Sequence, residues 1–118
     1  MGKDKRVYEE QYYIKNKLSR ENGPAVIEYN ENGIITGKNY FTDGQLHSES
    51  GPAIINYYGN GKIKNEFFYK YGKKHNENGP AEIQYYSYGE IKNIEYWLEG
   101  IKYSEKKYYQ QIETKLYW

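Results

Sequence analysis

Apolar and polar residues alternate along most of this chain, and the alternation restarts at a fixed interval. In Ala25-Val26-Ile27-Glu28-Tyr29-Asn30, the residues Ala25, Ile27 and Tyr29 share one parity. Side chains alternate across a strand, so these three lie on one face. Residues 53–58 and 81–86 repeat the pattern with Ala53, Ile55 and Tyr57, and with Ala81, Ile83 and Tyr85. That face is the expected core. The opposite parity carries a mixed, wetter set: Val26/Glu28/Asn30, Ile54/Asn56/Tyr58 and Glu82/Gln84/Tyr86. A turn follows in each case, closing on Asn32-Gly33, Asn60-Gly61 or Tyr88-Gly89. Asn-Gly between alternating runs signals a hairpin, because both residues accept positive φ. A second strand is predicted over residues 34–42, 62–70 and 90–98. It ends at the turn signals Asp43-Gly44, Tyr71-Gly72 and Glu99-Gly100. A polar loop, residues 45–50 in the first instance, then carries the chain to the next start.

The start is marked by Gly23-Pro24-Ala25, Gly51-Pro52-Ala53 and Gly79-Pro80-Ala81, which recur every 28 residues and contain all three prolines. Proline fixes φ and lacks an N–H, so it suits the beginning or the edge of a strand. Superposing residues 18–45, 46–73 and 74–101 aligns nine of the twelve glycines, and the second and third segments agree at 13 of 28 positions. Tyr12-Tyr13 fall in phase with the aromatic pairs Tyr40-Phe41, Phe68-Tyr69 and Tyr96-Trp97. Residues 1–17 therefore read as the trailing part of an incomplete unit. The expected fold is all-β, with tandem 28-residue β-hairpin repeats forming a single elongated antiparallel meander sheet. In such an array each unit contacts only its neighbours.

Residues 102–118 leave the period. Ser104 suits a helix N-cap and Glu105 its first turn, while Tyr108, Ile112 and Leu116 recur every fourth residue. A short helix capping the last hairpin is predicted, with a terminal strand over residues 116–118 as the alternative.

The repeated core Leu46-His47-Ser48-Glu49-Ser50-Gly51-Pro52-Ala53, with the Tyr-Tyr pairs and x-Gly turns, resembles the MORN-repeat variant proteins. That group includes bacterial chains described as antitoxin components and repeat proteins of giant viruses. The resemblance covers residues 12–101 and implies tandem hairpins in an elongated, curved sheet with a scaffolding or interaction role. Standard MORN units are shorter and carry a more regular Tyr-x-Gly-x-Trp pattern. The first unit here has Leu18-Ser19-Arg20 and the third has Lys74-His75-Asn76.

Composition changes this picture in three ways. Leu, Ile, Val and Phe together number only 21 of 118 residues, but there are 17 tyrosines. The core is therefore built from Tyr and Ile, since a Tyr ring can be buried while its hydroxyl keeps a hydrogen bond. The 17 basic and 16 acidic residues nearly cancel, which gives no basic footprint for nucleic acid. There is no cysteine, which excludes disulfides, thiol catalysis and cysteine-ligated metals. Met1-Gly2-Lys3-Asp4-Lys5-Arg6 leads into no apolar run, and no stretch has the length of a membrane span, so a soluble, cytoplasmic protein is expected.

Candidate chemistry is sparse. His47 and His75 occupy one column, beside Glu49 and Glu77. A metal pair or a general base is conceivable there, but zinc needs further ligands and the first unit has Ser19 in the column. The favoured role for His47, Glu49, Gly51, Pro52, His75, Glu77, Gly79 and Pro80 is to lock units together, with the carboxylates accepting bonds from loop N–H groups. No phosphate-binding glycine motif or nucleophile elbow is present, so neither a cofactor nor an enzymatic activity is expected. Tyr40, Tyr58, Phe68, Tyr86 and Tyr96 are the candidate binding stripe, because Tyr dominates interface hot spots. Lys62, Lys64, Lys92 and Lys102 are interleaved with Glu66, Glu90 and Glu95 and read as a solvated, edge-protecting set. The expected function is a non-enzymatic protein–protein interaction or scaffolding module. A self-assembling dimer or filament through an open sheet edge, and a lipid- or glycan-contacting module using the Tyr stripe, are the alternatives.

Overall fold

The computed structural model describes residues 8–116. The charged start and residues 117–118 of the alternative terminal strand lie outside them. Fourteen strands and one helix are present among the described residues. In chain order they are β1 (Glu9–Gln11), β2 (Tyr13–Ile14), β3 (Lys17–Leu18), β4 (Val26–Tyr29), β5 (Ile35–Asn39), β6 (Phe41–Thr42) and β7 (Gln45–Leu46). There follow β8 (Ile54–Tyr57), β9 (Ile63–Phe67), β10 (Tyr69–Lys70), β11 (Lys73–Lys74), β12 (Glu82–Tyr85), β13 (Ile91–Leu98), β14 (Ile101–Tyr103) and α1 (Glu105–Leu116).

Eight strands make one antiparallel sheet in the order β1-β4-β5-β8-β9-β12-β13-β14. The remaining six form three separate two-stranded ladders: β2-β3, β6-β7 and β10-β11. The expectation of a single sheet is thus corrected. The strand predicted over residues 34–42 breaks at Tyr40, whose N–H donates to the Ala53 carbonyl at 2.7 Å. The strand over residues 62–70 breaks likewise at Phe68, whose N–H donates to the Ala81 carbonyl. Beyond the break the chain does not end in a loop. It folds back over a two-residue turn and pairs Phe41 with Leu46 and Thr42 with Gln45. The turn residues Asp43 and Gly44 have φ of 51° and 81°. Positive φ at both central residues makes the turn whose twist matches paired strands. Tyr71-Gly72 and Glu99-Gly100 have the same signs of φ. The third long strand, β13, runs unbroken through Tyr96 and pairs its second half with β14.

The molecule measures 59 × 40 × 19 Å. Burial does not follow one face of the large sheet. Of the Ala/Ile/Tyr set only Ala25, Ala53 and Ala81 are buried, each fully. Ile27, Ile55, Ile83, Tyr29, Tyr57 and Tyr85 are half-buried, and the opposite parity contributes buried Val26 and Glu82. Each alanine sits where the chain is bonded on both sides: Ala53 N–H donates to Phe67 O, and Ala53 O accepts from Tyr40.

The apolar core cluster lies at the C-terminal end, where Tyr96, Leu98 and Tyr108 are buried together with Tyr103 and Ile112 packed against them. Here α1 closes over β13 and β14. Ser104 caps it, its Oγ accepting the Lys107 N–H and its carbonyl the Tyr108 N–H.

Candidate binding surface

The loop column is built from backbone geometry upward. His47 and His75 are both 6% exposed. His47 Nδ1 accepts the Tyr71 N–H at 3.0 Å, and His75 Nδ1 accepts the Glu99 N–H at 2.9 Å. In the first unit Ser19 Oγ accepts the Asp43 N–H at 3.2 Å. Every donor here is the left-handed residue of the following small hairpin. Such a residue turns its N–H out of its own ladder, and the preceding unit supplies the acceptor. Gly44, Gly72 and Gly100 add a second link, donating to Leu18 O, Leu46 O and Lys74 O.

The other imidazole nitrogen is also engaged. His47 Nε2 lies 2.8 Å from Glu49 Oε2, and His75 Nε2 lies 3.4 Å from Glu77 Oε2. With Nδ1 an acceptor, the neutral ring carries its proton on Nε2 and donates it to the carboxylate. The sequence expectation has the carboxylates collecting loop N–H groups; Glu49 and Glu77 meet the histidine rings instead. The His47 hydrogen bond, followed by the Lys70 charge, holds the Glu49 carboxyl below its usual range. Among the described residues, no three His, Cys, Asp or Glu side chains gather where a metal ion could be held.

The five aromatics of the predicted stripe do not share one surface. Tyr40 and Phe68 are half-buried at the crossing between the large sheet and the small ladders. Tyr96 is 8% exposed and packs on Tyr108, with ring centroids 4.7 Å apart. Burial, and then neighbouring Tyr109, pushes its phenol up to about 12. Tyr96 is therefore core. Tyr58 is half-buried at the opposite end of the first strand and donates to Tyr85 O at 2.7 Å. Tyr86 is exposed and stacks on Tyr88, which the sequence did not single out, at 5.3 Å. Ile91 and Ile94 of the same hairpin are exposed as well. Lys92 Nζ lies 5.9 Å from the centre of the Tyr86 ring, a weak cation–π approach.

A row of clefts runs along the small ladders. One of 580 Å³ is lined by residues 48–51, Phe68, His75 and Glu77 among others. A cleft of 220 Å³ lies one unit earlier, against Arg20, Gly23, Tyr40 and His47. Local pattern carries no mark of these, because they arise only where the loop of one segment meets that of the next.

A charged cluster also escaped the alternation pattern. Glu82, on the parity read as wetter, is 7% exposed and pairs with Lys74. The Lys74 ammonium sits 4.6 Å from the Trp97 ring centre and 5.2 Å from that of Phe67. Trp97 Nε1 donates to Glu95 Oε1 at 3.0 Å, which, together with Lys102, holds the Glu95 carboxyl low. Lys102 and Glu95 form an ion pair at 3.3 Å, so part of the interleaved charge is spent on pairing. Tyr85 donates to Glu66 at 2.8 Å, and burial first, then that bond, pushes its phenol up to about 12.

No helix of the described residues is long and apolar enough to cross a membrane. No protein-family model, curated protein or solved structure matches the chain.

Proposed function

We propose that this chain is a non-enzymatic protein-interaction module built from tandem hairpin repeats of the MORN-variant kind, with the 28-residue segments as its units. The observation that carries this is the last large-sheet hairpin. Tyr86, Tyr88, Ile91 and Ile94 stand 40%, 63%, 60% and 38% exposed on one β12–β13 hairpin. Tyr86 and its stacking partner Tyr88 lie apart from Ile91 and Ile94, which share the face of Tyr85 and Ile83; exposed apolar side chains mark interaction surfaces, and tyrosine contributes disproportionately to binding. Partner capture with a photo-cross-linking residue at position 88 tests it. A defined protein adduct that disappears on Tyr86→Ser with Ile91→Ser, with folding unchanged by circular dichroism, supports the reading. An adduct indifferent to both changes refutes it.

A second reading is favoured by a separate observation. The first half of β13 pairs with β12 only, so its outer edge is unpaired among the described residues. Open edges template pairing with another chain, which makes self-assembly through this edge the alternative. Light scattering over a dilution series decides it, and a mass that stays monomeric at all concentrations sinks it.

A further inference from the structure

The small-ladder clefts contain their own precedent for an occupant. At the third unit the place is filled by α1. The Tyr108 hydroxyl donates to Asn76 O at 2.7 Å and accepts the Gly79 N–H at 3.0 Å, with its ring against Tyr96. Ile112, one turn on, packs against the same cluster. Lys115 Nζ lies 3.8 Å from Glu77 Oε2. A phenol, an aliphatic side chain and an ammonium on one helix face thus meet a carbonyl and an amide, an aromatic wall and a carboxylate.

Twenty-eight residues earlier the same wall is rebuilt. Ser48, Glu49, Gly51 and Phe68 stand where Asn76, Glu77, Gly79 and Tyr96 stand, and all four line the 580 Å³ cleft. The backbone follows the same course, Ser48 N–H reaching Tyr69 O as Asn76 N–H reaches Trp97 O. Among the described residues nothing bonds to the Gly51 N–H or the Ser48 carbonyl. The first unit differs. Its Arg20 places the guanidinium 3.4 Å from the Cβ position of Gly23 and 3.8 Å from the Tyr12 ring centre, and donates to Pro24 O. The cleft that this side chain lines together with Gly23 and Tyr40 is smaller, 220 Å³. The middle unit has only Ser48 at this position.

We propose that the cleft between residues 48–51 and Phe68 docks an amphipathic helix of a partner protein, one that presents a tyrosine, an aliphatic residue four positions later and a lysine seven positions later. This rests on the reading of the chain as a protein-binding module and names the chemistry of its partner. The Tyr hydroxyl bridges Ser48 O and Gly51 N–H, the ring lies on Phe68, and the lysine faces Glu49. The rim favours a basic helix, since Glu49, Glu77 and Glu99 outnumber Lys70 there. The chain's own helix does not serve, because its tyrosine is committed to Gly79 and Asn76.

The probe is a synthetic peptide of residues 104–116, titrated into the full isotope-labelled chain and followed by amide chemical shifts. A peptide of this length is a marginal helix, so weak, fast-exchange binding is expected. The expected result is shifts centred on Ser48–Gly51 and Phe68. Ser48→Arg, which copies Arg20, weakens the effect at least tenfold with an unchanged melting temperature. A probe carrying Tyr108→Phe weakens it as well. Three results overturn the proposal: no shifts at Gly51, shifts confined to Asn76–Gly79 as the peptide displaces α1, or binding indifferent to Ser48→Arg. Concentration-dependent shifts at Gly51 without peptide would assign the cleft to a second copy and overturn it too. Cross-linking through the β12–β13 hairpin is independent of Ser48, so the broader reading survives if only the cleft fails.

Discussion

Replacing His47 tests how the units are joined. The ring is 6% exposed, accepts the Tyr71 N–H through Nδ1, and stacks on the Tyr71 ring at 4.0 Å and 25°. His47→Ala removes all three features. The stranded N–H costs about 1 kcal/mol, the low end for an unsatisfied donor because Tyr71 is an exposed residue that water can reach. Loss of the buried ring and its stacking adds about 1–1.5 kcal/mol. The pair with Glu49, whose side chain is 76% exposed, contributes little. The sum is a loss of about 2–2.5 kcal/mol, or about 8–10 °C in melting temperature for a domain of this size. His47→Ser separates the terms. Ser19 does the same job in the first unit, accepting the Asp43 N–H through Oγ. Serine at position 47 therefore recovers about 1 kcal/mol relative to alanine, the worth of one hydrogen bond. Urea denaturation of the three proteins measures this. If His47→Ser is no better than His47→Ala, the acceptor has no role and the lock is packing alone. If His47→Ala leaves stability within about 0.5 kcal/mol of the parent, the ordinary range for a surface change, the lock itself is refuted. Addition of zinc or a chelator should shift none of the three midpoints.

Ala53→Val should destabilise by about 1–3 kcal/mol through overpacking, since Ala53 is fully buried with its backbone bonded on both sides; a neutral result by thermal melting would show slack at that crossing. Glu82→Gln should cost about 3 kcal/mol by stranding the Lys74 charge, whereas Lys74→Met with Glu82→Leu should recover most of it, and equal losses in chemical denaturation would count against the pair. The phenols of Tyr85 and Tyr96 are held at about 12, and that of Tyr108 is also raised, against 10.0 for a free tyrosine. Above pH 10 the unfolded chain therefore holds fewer protons than the folded one, and stability should fall as pH rises from 10 through 12; urea midpoints that stay flat from pH 9 to 11.5 would contradict this.

Local pattern reached some of these features and not others. The hairpin turns at Asn32-Gly33 and Asn60-Gly61 were legible because Gly33 and Gly61 must take positive φ, and they do. The helix was legible from Ser104 and the four-residue spacing of its apolar positions. The small ladders were not. Asp43-Gly44 reads equally as the end of a strand or the tip of a hairpin, and only Phe41↔Leu46 pairing decides between them. Burial departs from the alternation for the same reason. Alternation names two faces, but in a molecule with so short a third dimension neither face is deeply covered, and position along the strand matters more than parity. Ala25, Ala53 and Ala81 are buried because they lie at the crossing, and Glu82 because Lys74 arrives from a small ladder beside it. Tyr96 reads as a member of a surface stripe because the apolar spacing of the capping helix does not say which ring of the last hairpin Tyr108 will cover.

The small ladders and the large sheet end differently, and this bears on where partners can attach. Along the small ladders α1 takes up the Gly79 N–H and Asn76 O, so the last cleft is filled and its backbone groups satisfied. In the large sheet, nothing covers the outer edge of residues 91–95 of β13 among the described residues. Had another unit followed, Asn93, Ile94 and Glu95 would pair outward as Asn65, Glu66 and Phe67 pair with Gln84, Ile83 and Glu82. Instead Lys92 and Asn93 stand in solvent between Ile91 and Ile94. A charged lysine and a short amide on an open edge discourage indiscriminate strand pairing, while the flanking isoleucines keep apolar surface available. Among the described residues, this end is closed by a helix along the small ladders and guarded by side-chain choice along the outer edge of β13. A partner that adds to this edge need not displace α1, and a helix entering the Ser48–Gly51 cleft need not touch the edge. The two surfaces are physically independent, so loss of binding on substitution at one leaves the other intact.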